Sequence, residues 1–525
     1  LARTRAALEA ARAVGDRFVE AWVHDLVGLA HLGLRDYARA RESFEQSLTL
    51  RRAQGKTADL TRSLMYLGRV ELERGNPARS VETFNEAVAQ GRDDRAVLWA
   101  ALYYRGRAQW GLGRRQLAIE DLRAAVDVLE SIRLRLVPTD ALRVQFQVSS
   151  SEVYAALADL LCETHFAGDR AGAAAEAFHV VELARAQGLR ALIEQRQPDG
   201  AHWQTSRWMR YRDRLARLEA TRARAAADPE WRPRLAAQEA EVRDFEARLR
   251  LEEPVFSSGV FAPVLGLDQT QREVLGPEDL LLSFHVREKA AYAWAVTRTE
   301  ARIYRLPPPS SWRGQIRRFL EALDSPAERN AAGSRLYGAL LGGLDPALLA
   351  KHHWIIAADG DLVSLPFCAL PAPGEAAKRY LVEQRSFSYA PSVSILHSLN
   401  QRGIEPYQYE FLGLADPVFN RADPRWDGRP PSIEVAEGLP RLISSEPEIR
   451  AAARLFPPGR STLLTGFDVS EARLRRSAEQ SHRYWHLSSH VVVDAERPNH
   501  SFVALSIPRQ GPRMEKLTPL DIAWL

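Results

Sequence analysis

Over roughly the first two hundred positions, apolar residues recur at three- and four-residue steps, the period of helices that bury one face. Beyond residue 275 they gather instead into short runs separated by helical stretches. Three segments of the helical part share one internal spacing: Gly28, Ala40, Phe44, Ser47; Gly68, Ser80, Phe84, Ala87; and Gly106, Ala118, Leu122, Ala125, at offsets of 12, 16 and 19 from each glycine. Small residues recur where two helices must approach closely, and a bulky one fills the gap a turn later. The pattern therefore predicts stacked helix–turn–helix units.

These units resemble the tetratricopeptide repeat. The second carries Tyr66-Leu67-Gly68 in its first helix and Gly75-Asn76-Pro77 at its turn; the first has Asp36-Tyr37 there and the third Gly111-Leu112-Gly113. Their periods of 40 and 38 residues exceed the usual value of about 34, which implies helices longer by about a turn. A fourth, degenerate pair is expected over 149–195, turning at Gly168-Asp169 with Ala177-Phe178 on its second helix. Such units stack into a solenoid with a concave surface, which serves either as a groove for a protein or peptide partner or as a rigid scaffold.

Residues 203–250 keep a helical period, with Trp208, Tyr211, Leu215 and Leu218, then Val242, Phe245 and Leu249, on apolar faces. Asp228-Pro229 between them reads as an N-cap with proline in the first turn, so an antiparallel helical hairpin is expected. After Gly276, strand-like runs fall at 280–286, 291–296, 354–358, 411–415, 462–465, 485–488 and 502–506, with helical stretches near 311–323, 331–342, 444–455 and 469–478. Alternating strands and helices predict an α/β domain with a largely parallel sheet, whose active site would sit beyond the C-terminal strand ends. Asp359-Gly360, between two apolar runs, reads as a tight hairpin turn.

Composition narrows the function classes. The 71 basic and 67 acidic residues nearly cancel, and the arginines alternate with Asp and Glu along helices. That is the pattern of solvated faces, with no nucleic-acid footprint. Only two cysteines occur, Cys162 and Cys368, both in apolar stretches. They provide neither a disulfide framework nor a zinc site, and a reducing, cytoplasmic setting fits best. No run approaches the roughly 18 apolar residues of a membrane helix, and no metal or organic cofactor is implied.

Four stretches, in order, resemble the CHAT family, the caspase-like domains attached to tetratricopeptide repeats in bacteria and related to caspases and separases. The first runs from His179 through Glu182 and Arg185 to Leu192, similar to the family's helix closing the repeats. The second is Trp354 through Phe367, followed by Tyr380-Leu381-Val382-Glu383 and Ser388-Tyr389-Ala390-Pro391-Ser392. The third is Leu439-Pro440 with Glu446-Pro447-Glu448-Ile449 and Leu464-Thr465-Gly466. The fourth, Tyr484-Trp485-His486-Leu487-Ser488-Ser489-His490, is similar to the family's His-Phe-Ala-Thr-His-Gly. The resemblance implies a multidomain chain: an all-α TPR-like solenoid over 1–200, a helical hairpin and linker over 201–275, and a caspase-like α/β domain over 276–525.

It also implies a histidine and a cysteine at the ends of neighbouring strands. The histidine is His490, expected at the tip of an inner parallel strand as general base and then acid; His486, four residues earlier, is expected deeper, as a satisfied core histidine. Val491 stands where the family has glycine. The family's cysteine follows a Leu-Thr-x-x-Asp-Ile segment, which is here Leu517–Ile522, close to the last residue. Neither Cys162 nor Cys368 matches it, since buried structural thiols are inert. A triad from Ser488, Ser489, His490 and Asp494 is disfavoured because adjacent residues do not converge as separate elements do. Two functions follow as expectations: a cysteine endopeptidase inactive as these 525 residues, or a non-catalytic repeat scaffold with a degenerate caspase-like domain.

Overall fold

The computed structural model describes residues 2–54, 57–91, 94–133, 140–168, 170, 172–195, 214, 217–218, 221, 229–231, 233–238, 240–242, 245, 264–322, 325–372, 379–401, 407–426, 439–493, 501–509, 513–518 and 521–522. The chain forms two compact units, Leu1–Leu189 with Arg210–Leu399, and Arg190–Met209 with Asn400–Leu525.

The first unit opens with α1 (Ala2–Val14), α2 (Arg17–Gly33), α3 (Tyr37–Gln54), α4 (Thr57–Glu73), α5 (Pro77–Gln90), α6 (Arg95–Gly111), α7 (Arg115–Arg133), α8 (Asp140–Phe166) and α9 (Ala173–Gln195). The repeat spacing has a direct steric origin. A Cβ on Gly28 would fall 2.5 Å from the Phe44 ring, one on Gly68 2.8 Å from Phe84, and one on Gly106 3.0 Å from Leu122. Each glycine thus admits the bulky residue sixteen positions later, and Ala40, Ser80 and Ala118 are fully buried in the same seams. The α4–α5 turn passes through Gly75 at φ +81°, a conformation that favours glycine. In the fourth pair, α8 and α9, Ala177 and Phe178 are fully buried and Gly168 has φ +73°; Asp169 lies outside the described residues.

Most of the hairpin and linker expected over 201–275 also lies outside the described residues. Among those described, Leu218 and Val242 are buried. Arg214 meets Glu241 at 2.9 Å and covers the Phe245 ring at 4.4 Å.

The same unit holds a five-stranded sheet, in the order β3-β2-β1-β4-β5, of β1 (Asp279–Val286), β2 (Ala291–Val296), β3 (Ala301–Leu306), β4 (His353–Ala357) and β5 (Ser386–Tyr389). It is flanked by α10 (Leu267–Glu273), α11 (Arg313–Glu321), α12 (Pro326–Leu340), α13 (Pro346–Leu349) and α14 (Val393–Asn400). The sheet is mixed, not largely parallel. β1 pairs antiparallel with β2, and β2 with β3, while β1–β4 and β4–β5 are parallel. Short turns suffice for the first two connections, and chain long enough to carry helices makes the others.

Both faces of this sheet are covered, which is why β2 reads as an apolar run and β1 as one interrupted only by Ser283 and His285 after its first residue. One face packs on the repeats, with Leu281, Trp294 and Ile355 against Leu157, Leu161 and Phe178. The other meets Trp312, Phe319 and Leu336. Buried polar contacts bind the repeats to the sheet as well. Glu182 of α9 accepts from Ser392 and Ser394 at the start of α14, and Arg185 donates to Ser283 Oγ and to the carbonyls of Phe284 and Ala357. Asp359-Gly360 makes no β-hairpin, because β4 continues to parallel pairing. Gly360 is left-handed at φ +55°, and Asp359 instead caps the short helix Gly360–Ser364 while accepting from the Val286 amide.

The second unit contains β6 (Tyr409–Ala415), α15 (Ser445–Ala453), β7 (Ser461–Thr465), α16 (Glu471–Ala478) and β8 (His482–Ser488), followed by β9 (Val491–Val492), β10 (Phe502–Ala504) and β11 (Lys516–Leu517). One sheet, β7-β6-β8, is wholly parallel, and the other, β11-β10-β9, is antiparallel. Leu412, Leu414, Leu464, Leu474, Val503 and Leu517 form the core, with Trp485 and Leu487 packed on it. An all-α repeat region followed by mixed sheets and helices is the fold class the sequence predicts. No helix among the described residues is long and apolar enough to cross a membrane.

Candidate functional site

In the wholly parallel sheet β7-β6-β8, chemistry is expected where the C-terminal strand ends and their loops gather. β6 ends at Ala415, paired with Ser488 at the end of β8. His490 follows two residues later, just before β9. β8 lies at an edge of this sheet among the described residues, not at the expected inner position.

The His490 ring is half-buried, 5.1 Å from the Phe419 ring between centroids, and its Nε2 lies 2.8 Å from the Pro440 carbonyl oxygen. A carbonyl oxygen only accepts, so Nε2 carries the hydrogen. In the neutral ring Nδ1 is then the lone-pair nitrogen. Its own carbonyl accepts from the Ala504 amide at 2.8 Å, tying the residue to β10.

His486 is not a core histidine. Its side chain is 35% exposed, and Nε2 lies 3.0 Å from Glu448 Oε1 of α15. Ser488 donates to the other oxygen of Glu448 at 2.9 Å. Alternation along the strand explains the difference: Trp485 and Leu487 point into the core, so His486 and Ser488 point to the opposite face, toward α15. The buried histidine of β8 is His482, held by Gln480 O at 2.6 Å and Thr462 Oγ1 at 3.0 Å, and burial lowers its pKa.

A cluster that the sequence reading missed stands at the end of β6. Asp416, 1% exposed, has a left-handed φ of +47°. Arg441 grips its carboxylate with two bonds, Nε at 2.9 Å and Nη2 at 2.6 Å; Arg425 adds Nη1 at 2.7 Å and reaches Asp423 at 2.6 Å. Burial raises the Asp423 pKa, but the Arg425 guanidinium outweighs it and holds the carboxyl below its usual range. Two carboxylates face two guanidiniums, so the cluster is neutral as a whole. In the sequence these residues recur at no fixed spacing. Only the Asp416-Pro417 dipeptide directly after a strand hinted at a special turn.

Cys162 and Cys368 both belong to the other compact unit. Cys162 is fully buried on α8, and burial, reinforced by the Asp159 charge, pushes its thiol well above the ordinary range. Cys368 is partly exposed in a short turn, where its amide donates to Tyr389 Oη at 3.3 Å. Thr518 and Asp521 of the Leu-Thr-x-x-Asp-Ile segment form a reciprocal cap, with Thr518 N and Oγ1 donating to Asp521 Oδ2 at 2.9 and 2.6 Å. Asp494 lies outside the described residues, and no group of side chains able to hold a metal ion occurs among the described residues.

A sequence profile of the CHAT domain matches residues 330–525, and a tetratricopeptide-repeat profile matches residues 27–95 and 67–130. No curated protein sequence matches the chain. The glycine-gated helical pairs at one end and the CHAT match over residues 330–525 together give this chain the TPR–CHAT architecture, tetratricopeptide repeats joined to a CHAT domain.

Proposed function

We infer that the chain couples a repeat region that receives a protein or peptide in its concave groove to a CHAT domain acting as a cytoplasmic cysteine endopeptidase, with His490 as general base and acid. The observation that carries the reading is the hydrogen bond from His490 Nε2 to Pro440. It leaves Nδ1 to take a proton from a thiol. As the imidazole becomes imidazolium, the Pro440 carbonyl dipole stabilises the new charge, and the thiolate is freed to attack a peptide carbonyl. Nδ1–H then protonates the leaving amine, and the ring returns to its starting state for hydrolysis of the acyl-enzyme.

The reading assigns the nucleophile to a cysteine other than Cys162 and Cys368, so the 525-residue chain is expected to be inactive by itself. Its test compares that chain with the longest product of its reading frame on a protein-derived peptide library, with cleavage detected by mass spectrometry. Thiol-dependent cleavage by the longer product, abolished by His490→Ala, supports it. Cleavage by the 525-residue chain, or no cleavage by either, overturns it. Val491, standing where the family has glycine, favours a second reading, a non-catalytic adaptor, for which residues 1–200 would capture a partner while His490→Ala changed nothing.

A further inference from the structure

The histidine is oriented by a backbone oxygen, and that oxygen has no side chain of its own to place it. Pro440 lacks an amide hydrogen and has its φ fixed by the ring, so the direction of its carbonyl depends on what anchors its neighbours. Those anchors converge on the end of β6. Before Pro440, the Leu439 carbonyl accepts from Asn420 Nδ2 at 3.2 Å. After it, Arg441 makes its two bonds to Asp416, and the Asp416 amide donates to Ser445 Oγ at 2.8 Å. Arg425 braces Asp416 from the other side, bonding both its carboxylate and its carbonyl, the latter at 3.0 Å. The segment 439–445 is thus pinned at Leu439 to Asn420 and at Arg441 and Ser445 to Asp416, with the Pro440 carbonyl held between.

The geometry points to Asp416 and Arg441 as positioning residues: their two-pronged ion pair sets the Pro440 carbonyl that fixes the His490 ring and its tautomer. Neither touches the reacting atoms. Arg441 is suited to the task because its planar fork fixes an orientation that a lysine ammonium cannot. Asp416 is suited because Asp tolerates the left-handed backbone that the turn out of β6 adopts. Arg425 and Arg441 supply the counter-charge that a buried carboxylate requires.

This inference rests on His490 being the working base, but its test reads a hydrogen bond and not hydrolysis, so either can fail without the other. The 525-residue chain is labelled with 15N-histidine, and the Nε2–H signal of His490 is assigned by its loss in His490→Gln. The unaltered chain should show a protected Nε2 proton and contacts to Phe419. In Arg441→Leu, and separately in Asp416→Asn, which keeps the shape and tolerates the same backbone, solvent exchange of that proton should accelerate by about tenfold, the scale of one lost hydrogen bond. Arg441→Lys should fall between. His482, in the same sheet but held by other partners, is the internal reference. Unchanged His490 exchange in the two variants overturns the proposal, and so does a loss of protection shared equally by His482.

Discussion

Replacing Glu182 with alanine tests the attachment of the repeats to the five-stranded sheet. The carboxylate is fully buried. Its Oε2 accepts from Ser392 Oγ at 2.8 Å and from Ser394 N and Oγ at 3.1 Å each, while Oε1 faces Arg185 at 3.5 Å. A hydrogen bond to a charged acceptor contributes about 1.5–3 kcal/mol, but three on one oxygen do not add. The larger consequence is that the Arg185 guanidinium, whose side chain is 11% exposed, loses its buried counter-charge. Breaking such a pair from one side costs about 3–5 kcal/mol. That range is the expected loss for Glu182→Ala, with Glu182→Gln costing less because it keeps the shape and one acceptor. Native-state hydrogen exchange over α14 and β1 is the assay, since local opening there reports this joint without requiring the whole chain to unfold in one step. Glu182→Ala and Arg185→Ala should be less than additive when combined. A loss below about 1 kcal/mol, or full additivity, would refute the account, because removing one partner of a buried ion pair leaves the other charge uncompensated.

His285 gives the same joint a pH dependence. It lies 2.9 Å from Asp159 of α8 and 3.7 Å from Asp359, with Arg287 also 3.5 Å from Asp159 and the Tyr292 ring stacked on it. Burial alone lowers its pKa, but the hydrogen bond to Asp159 and the neighbouring Asp359 carboxylate outweigh this and leave it above 6.5, while Asp359 ends below 3.8 because His285, Arg185 and the Val286 amide together exceed its burial penalty. Stability from charged His285 is therefore fully present below the unfolded value and lost as pH rises through the raised folded one. The Asp359 share is present above its unfolded value and lost as pH falls through the lowered one. Thermal midpoints across pH should decline on the alkaline side, and His285→Gln should flatten that limb; an unchanged limb would count against the assignment. In the repeats, Gly68→Ala sets a helix-propensity gain of about 1 kcal/mol against overpacking of about 1–3 kcal/mol. Phe84 is fully buried and stacked 6.0 Å from Tyr104, so the clash should prevail and lower the melting temperature; a stabilised variant would show that the ring can yield.

Whatever depends on local period or on a contact at fixed spacing was legible in the residues alone. A glycine sixteen positions before a phenylalanine encodes the seam of a helical pair, because both residues belong to one short hairpin and no distant element intervenes. Near-continuous apolar runs announced β1 and β2 for a similar reason: a strand covered on both faces carries its burial in its own composition. Tertiary structure decided the rest. Whether β4 turned back or went on to parallel pairing was settled by β1 and β5, not by Asp359-Gly360. His486 and His490 are four residues apart, yet their environments come from Glu448 and Pro440, which stand about forty and fifty positions earlier in the chain. Asp416 and Arg441 are 25 positions apart, and such pairings have no period. They exist only once strand order brings the loop ends together, since electrostatic partners are chosen by proximity in space, whereas helices and strands are chosen by proximity along the chain.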